Sequence, residues 1–179
     1  MKMAVAVTGA SGVAYGVRLM EALDEMGVDY VCMVSEAAKK VASYELGGWK
    51  GRCMDEDRLD GEVASGSARF DAMVIIPCSM KTLSAVANGY ASNIITRAAD
   101  VMIKEGKKLV LVPRETPLSQ IHLENMLRLS KMGVVILPAM PGFYHRPETV
   151  EDMVDFIVGK VLDSLGIDND LYRRWRPGI

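Results

Sequence analysis

Lys108-Leu109-Val110-Leu111-Val112-Pro113-Arg114-Glu115-Thr116-Pro117-Leu118 is the stretch from which the fold is read. The apolar run Lys108–Val112 has the length and composition of a short buried strand. Thr116 followed by Pro117 predicts a helix start, a hydroxyl cap and then proline at the first helical position. Arg114 and Glu115 then occupy the turn between a strand's carboxyl end and a helix's amino end. In open α/β sheets, ligands bind along that edge. A guanidinium that holds anions, beside a carboxylate that can move a proton, marks a reaction site there. An ion pair in a surface loop is the competing reading.

Working outward, strand and helix signals alternate along the chain. Met3–Thr8 reads as a strand, Val13–Met26 as a helix up to Gly27, and Asp29–Val34 as a second strand followed by a helix over 37–45. Residues 46–70, rich in Gly, Asp, Ser and charge, carry no period and read as an exposed, variable excursion. The pattern resumes with the strand Ala72–Ile76, helices over 82–87 and 92–105, the strand Lys108–Val112, the helix Pro117–Lys131, a short strand Val134–Leu137 and a last helix Val150–Leu165. Such alternation predicts an α/β fold, a parallel sheet with helices on both faces, Rossmann- or flavodoxin-like. With no repeat or linker, 1–179 reads as one domain with a polar tail over 168–179. About 70% of the unfolded chain's surface is buried at this size.

Composition narrows the function. The formal net charge of −2 gives no basic footprint for nucleic acid. No apolar run approaches the roughly 20 residues of a membrane span. Met1–Val7 is followed at once by a glycine-rich turn, which favours a first strand over a signal peptide. The three cysteines, Cys32, Cys53 and Cys78, are odd in number and show no CxxC spacing. That argues against a disulfide framework or a metal site and for a reducing cytoplasm. His122 and His145 are far apart, so no metal-binding pair is expected. Of the thirteen methionines, Met20, Met26, Met126 and Met132 read as core or helix-packing residues, with an oligomer interface as the second reading.

Three strand ends carry hydroxyls. Thr8-Gly9-Ala10-Ser11-Gly12 joins the first strand to the first helix with residues small enough for a ligand to approach the backbone. A phosphate at the helix amino end is the functional reading, and a tight glycine turn the structural one. The spacing G-x-x-G-x-x-x-G over Gly9, Gly12 and Gly16 is not that of a nicotinamide dinucleotide site. Ser35 stands where such a site needs an acid, unless the strand runs on to Glu36, and a hydroxyl there suits flavin mononucleotide (FMN). Pro77-Cys78-Ser79-Met80-Lys81-Thr82 repeats the arrangement after the third strand, although Ser and Thr at such positions also serve as plain helix caps. Arg97 and Lys104 share one helix face, which on its own reads as solvated.

In this order, these segments resemble the UbiX-type flavin prenyltransferases. The resemblance is carried by Thr8-Gly9-Ala10-Ser11-Gly12, Pro77-Cys78-Ser79, Thr82-Leu83-Ser84-Ala85, Arg97-Ala98-Ala99-Asp100, Val112-Pro113-Arg114-Glu115, Ile121-His122-Leu123-Glu124-Asn125-Met126-Leu127 and Pro141-Gly142-Phe143-Tyr144-His145. It spans about residues 4–45 and 65–167. It implies a homododecamer that joins a dimethylallyl group from dimethylallyl phosphate to N5 and C6 of reduced FMN, without metal. The product, prenylated FMN, serves a UbiD-type decarboxylase. The implied flavin contacts are Gly9, Ala10, Ser11, Ser35, Ser79, Met80, Lys81, Thr82 and Arg114. The implied donor-phosphate contacts are Arg97, Lys104, Arg114, Tyr144 and Lys160. Glu115 and Glu45 are the implied acid/base groups, and Ser11 joins the catalytic set. Arginine stands at the position of Lys160 in some members; lysine keeps the charge and loses the bidentate fork. A cysteine decarboxylase of the same fold needs a histidine between the second and third strands, and residues 36–71 hold none. A non-catalytic flavin carrier accounts for the hydroxyl turns but not for the cations with Glu115.

Overall fold

The computed structural model describes residues 1–58, 62–66 and 68–175. Along them run β1 (Lys2–Val7), α1 (Val13–Glu25), β2 (Asp29–Val34), α2 (Glu36–Glu45), β3 (Met54–Asp55), a 3-10 turn (Glu62–Ala64), β4 (Ala72–Cys78), α3 (Met80–Ala87), α4 (Ile94–Lys104), β5 (Lys108–Pro113), α5 (Gln120–Lys131), β6 (Val135–Ile136) and α6 (Val150–Leu165). The strands form one sheet in the order β3-β2-β1-β4-β5-β6, with every pairing parallel. The α/β expectation holds.

The order reverses between β1 and β4. Right-handed crossovers in opposite directions place helices on opposite faces of the sheet. Alternating side chains show it: Met3, Val5, Val74, Ile76, Val110 and Val112 pack against α1 and α6. Ala4, Ala6, Met73, Ile75, Leu109 and Leu111 pack against α3, α4 and α5. A sheet covered on both faces requires continuous apolar strands, hence the unbroken runs in β1 and β4.

The excursion over 46–70 is more structured than its composition predicts. Met54 and Asp55 pair with Met33 and Val34 as an edge strand. Val63 and Phe70 are fully buried in the core. The register sets Cys53 beside Cys32, and the two form a disulfide across a Cα separation of 4.6 Å. The expectation of unpaired cysteines is therefore overturned, and the inference of a reducing cytoplasm from them loses its support. Spacing along the chain does not reveal which residues a sheet brings side by side. Cys78 is a free, buried thiol whose pKa burial pushes far up, so it stays protonated and is no nucleophile.

The helix after β5 also starts later than predicted. Ser119, not Thr116, caps it: Ser119 Oγ accepts from His122 N–H (3.3 Å) and His122 Nδ1 accepts from Ser119 N–H (3.2 Å). Among the described residues Thr116 has no such reciprocal partner, so residues 114–118 stay a loop. Met20 and Met126 pack against the core as expected, whereas Met26 and Met132 are exposed at the C-caps of α1 and α5.

The segment after α6 is held down firmly for a polar tail. Asp163 accepts from Tyr172 Oη (2.6 Å), from both Arg174 terminal nitrogens (2.9 and 2.7 Å) and from Asn169 Nδ2 (3.0 Å). Tyr172 lies flush on Gly159, where a Cβ would strike its ring. Burial raises the Asp163 pKa, but the Arg174, Tyr172 and Asn169 contacts outweigh it and hold the carboxyl below its ordinary value. A depressed folded pKa stabilises the fold above the unfolded value, about 3.9, and that contribution is lost as pH falls through the lower folded value. Asp163→Asn is expected to cost about 1–2 kcal/mol at neutral pH, kept modest because Arg174 is half exposed, and to flatten the acid limb of stability. Melting temperature followed from neutral pH to below about pH 3 checks both effects; parallel acid limbs for the two proteins would contradict the assignment.

Candidate functional site

Because the strands are parallel, their carboxyl ends open along one edge, and the reversal between β1 and β4 opens a crevice there. Two turns flank it. Thr8, almost wholly buried, joins them: its hydroxyl donates to Pro77 O (2.8 Å) and accepts from Ser79 N–H (2.8 Å). In the first turn Gly9 lies so close to α2 that a Cβ would strike Ala37. Gly12 has φ of 96°, a backbone that side chains rarely adopt. Ala10 is buried, and Ser11 is exposed with no hydrogen bond to its hydroxyl among the described residues.

The hydroxyls at the other two turns are helix caps. Ser35 Oγ accepts from Ala38 N–H (3.0 Å), and Ser79 Oγ accepts from Thr82 N–H (3.3 Å) and bonds Thr82 Oγ1 (3.1 Å). Capping does not exhaust them. A hydroxyl that accepts at a helix end keeps its proton to donate, so Ser35 and the Ser79–Thr82 pair each retain a donor for a ligand. Met80 is half-buried against the core and Lys81 is exposed beside them.

The amino end of α1 departs from expectation. Glu45, the last residue of α2, accepts from Gly12 N–H (3.0 and 3.1 Å) and Val13 N–H (3.0 Å). The chain's own carboxylate therefore fills the helix end where the sequence suggested a phosphate. Ala38 and Ala42 pack α2 against Val13 and bring Glu45 there. Tyr15, one helical turn on, shows what else converges. Burial raises its pKa, Arg114 opposes the rise and Glu45 adds to it, so the phenol feels both charges. Sequence reasoning passed over Tyr15 and the linking role of Thr8. Each lies in or beside the glycine turn, but the contacts come from distant segments.

Arg114 and Glu115 follow β5 and line a cavity of about 230 Å³ with Pro113, Met126, Pro138 and Met140. Glu115 Oε1 accepts from Thr116 N–H (2.9 Å), and among the described residues its second oxygen accepts no hydrogen bond. The turns bearing Gly9, Ala10, Ser11, Ser35, Ser79, Lys81, Thr82, Arg114 and Glu115 thus lie along one edge, with Glu45 brought to it.

The remaining cations do not join them within one chain. Arg97 and Lys104 lie exposed on α4, where among the described residues they pair with neighbouring acids, Asp100 (3.4 Å) and Glu105 (3.2 Å). Tyr144 and Lys160 belong to the opposite face of the sheet. Tyr144 packs edge-on to Phe156 (5.7 Å) and Trp175 (5.5 Å), and Lys160 lies over Tyr172 (5.9 Å). Helix α4 and helix α6 sit on different sides of the sheet, so the cation set is split.

Comparisons with known proteins agree with this picture. The Flavoprotein family model matches residues 1–162. A flavin prenyltransferase UbiX from Methanothermobacter thermautotrophicus is 58% identical, over 96% of this chain and 93% of its own. Among solved structures, a dodecameric FMN-dependent UbiX-like decarboxylase from Escherichia coli O157:H7 superposes with a TM-score of 0.95 at 47% identity, covering 98% of this chain and 100% of its own. AnUbiX, solved with FMN and dimethylallyl pyrophosphate, gives 0.94 at 39% identity, covering 98% and 97%. Among the described residues, no helix is long and apolar enough to cross a membrane. A reversed parallel sheet, hydroxyl-bearing turns at its switch point and these relatives together show that the chain belongs to the Flavoprotein family, among the UbiX flavin prenyltransferases.

Proposed function

We propose that the chain transfers a dimethylallyl group from dimethylallyl phosphate to N5 and C6 of reduced FMN, and that the prenylated FMN so made serves a UbiD-type decarboxylase. The observation that carries the reading is the convergence of Ser11, Glu45, Tyr15 and the Arg114–Glu115 pair at one end of the sheet, with a cavity beside the last two. Gly9, Ala10, Ser11, Ser35, Ser79, Met80, Lys81, Thr82 and Arg114 hold the flavin. They fit it: the glycine turn admits a flat ring close to backbone, and the hydroxyls keep donors for the ribityl and phosphate oxygens. Bound reduced flavin supplies the nucleophilic nitrogen and carbon.

The residues of the chain manage the charge and the proton. The allylic C–O bond breaks and phosphate leaves, so cations aimed at the leaving oxygens stabilise the transition state most. Arg114, Arg97, Lys104, Lys160 and the Tyr144 hydroxyl fill that role. Glu115, beside Arg114, exchanges a proton with phosphate or flavin. Glu45 accepts the proton released on ring closure, and Ser11 relays it. Because the cations stand on both faces of the sheet, a complete donor site needs more than one copy. A homododecamer with sites at subunit junctions meets that need. The reading takes the chain as one flavin-binding domain acting in the cytoplasm, where reduced flavin and allylic phosphates are at hand.

The test is anaerobic incubation with reduced FMN and dimethylallyl phosphate or its diphosphate, with a chelator present. A flavin heavier by one prenyl group, with an altered spectrum, is expected. FMN recovered unchanged with both donors would overturn the reading. A carboxylic acid decarboxylated by the chain alone would support the decarboxylase activity named for the E. coli structure instead.

A further inference from the structure

We propose that Glu56 is a positioning residue that locks the flavin-binding turn after β2 to the amino end of the donor-binding helix α4. The inference rests on the function proposed above. Glu56 lies in the segment that composition marks as a variable excursion, immediately after β3. One carboxylate oxygen accepts from Glu36 N–H at the start of α2 (3.0 Å). The other accepts from Asn93 Nδ2 (2.7 Å). The backbone carbonyl of Glu56 accepts from Ile94 N–H, the first amide of α4 (3.0 Å). Asn93 in turn caps α4, its Oδ1 accepting from Thr96 N–H (2.9 Å). A single residue therefore satisfies the first amides of two helices, α2 by its side chain and α4 by its backbone.

The geometry demands a carboxylate. Among the described residues, every group that bonds to the two oxygens is an N–H donor, and only an ionised acid offers acceptors alone. Two helix amino ends also favour negative charge there. Glu56 is itself held in place. Cys53 is tied to Cys32, and Asp55 is paired with Lys39, which also meets Glu36. The brace therefore runs from β2 through β3 to both helices. Ser35, the N-cap of α2, immediately precedes the braced amide of Glu36, and Arg97 lies one turn into α4. Freeing the amino end of α4 lets Arg97 shift relative to the sheet edge, and a cation placed off the leaving phosphate binds the donor more weakly.

Glutamine at this position cannot serve both helices, because its single oxygen meets one donor and its amide collides with the other. Glu56→Gln is expected to raise the donor KM about tenfold, with kcat at saturating donor little changed, as for a lost charge-assisted hydrogen bond. Amides 94–97 should exchange with solvent faster. Adding Asn93→Asp restores the pairing: the glutamine amide donates to the new carboxylate, which still caps Thr96. The double variant should regain wild-type KM and exchange. A Glu56→Gln protein with unaltered KM, even if it melts earlier, would overturn the proposal, and so would a double variant that recovers neither property. If the wild-type chain makes no prenylated flavin, the functional reading has failed, and the exchange rates with their recovery in the double variant still decide the brace.

Discussion

Replacing Glu115 with Gln is expected to slow prenyl transfer by roughly 10²- to 10⁴-fold while leaving FMN affinity unchanged, the loss typical of a missing general acid or base. The geometry makes the variant selective. Glu115 uses one oxygen to accept from Thr116 N–H, and the amide oxygen of glutamine can accept the same bond. The loop over 114–118 therefore keeps its shape, Arg114 keeps its place at the cavity, and the flavin turns across the edge are untouched. What is lost is the group that can hold or release a proton next to a guanidinium. A lost positioning group raises KM, whereas a lost proton-transfer group lowers kcat at saturating donor. Single-turnover formation of prenylated flavin, measured beside FMN dissociation constants, separates the two. Wild-type turnover in Glu115→Gln would make Glu115 a structural loop residue and move the proton chemistry to Glu45.

How much of this can be read from the chain follows from how local each feature is. The strands and helices are legible because apolar period and glycine stops are local, and the hydroxyl turns because each lies within one strand–helix junction. Strand β3 is not: two residues have no period, and its pairing is set by β2, Lys39 and the Cys32–Cys53 bond. The start of α5 is misread because Thr116-Pro117 imitates a cap, whereas the reciprocal bonds between Ser119 and His122 settle the choice. Within the site, Arg114 and Glu115 are legible from their turn. Glu45 at the amino end of α1, Thr8 bridging to Ser79 and Tyr15 between two charges are contacts between distant segments, invisible to spacing. Spacing puts Arg97 and Lys104 on one helix face, and only the strand order puts that helix across the sheet from Lys160.

Gly16→Val is expected to damage the fold severely. A Cβ at Gly16 would lie 2.5 Å from Ile76 O and 2.8 Å from Val7 Cγ2, so α1 rests directly on β1 and β4 at the switch point. The carbonyl belongs to β4, which is held between β1 and β5, so the backbone has little room to retreat. Overpacking costs about 1–3 kcal/mol where side chains can adjust, and the cost exceeds about 3 kcal/mol where backbone is the obstacle. Against a total stability of about 5–15 kcal/mol, that is a large fraction, and it corresponds to a fall in melting temperature of about 10 °C. The damage extends to function, because α1 begins at Gly12 and Val13, whose amides hold Glu45. Displacing the helix shifts the Gly9–Ser11 turn that leads into it and draws the Gly12 and Val13 amides off Glu45, so FMN affinity should fall together with stability. Gly27 supplies the control. It has φ of 65° and nothing within 4 Å of the point where a methyl group would stand, so Gly27→Ala carries only the conformational penalty of about 1 kcal/mol. Thermal melts of both variants, with FMN titrations, compare lack of room with backbone strain. If Gly16→Val melts no lower than Gly27→Ala, then α1 can slide over the sheet, and close packing at the switch point is not what holds the flavin turn in place.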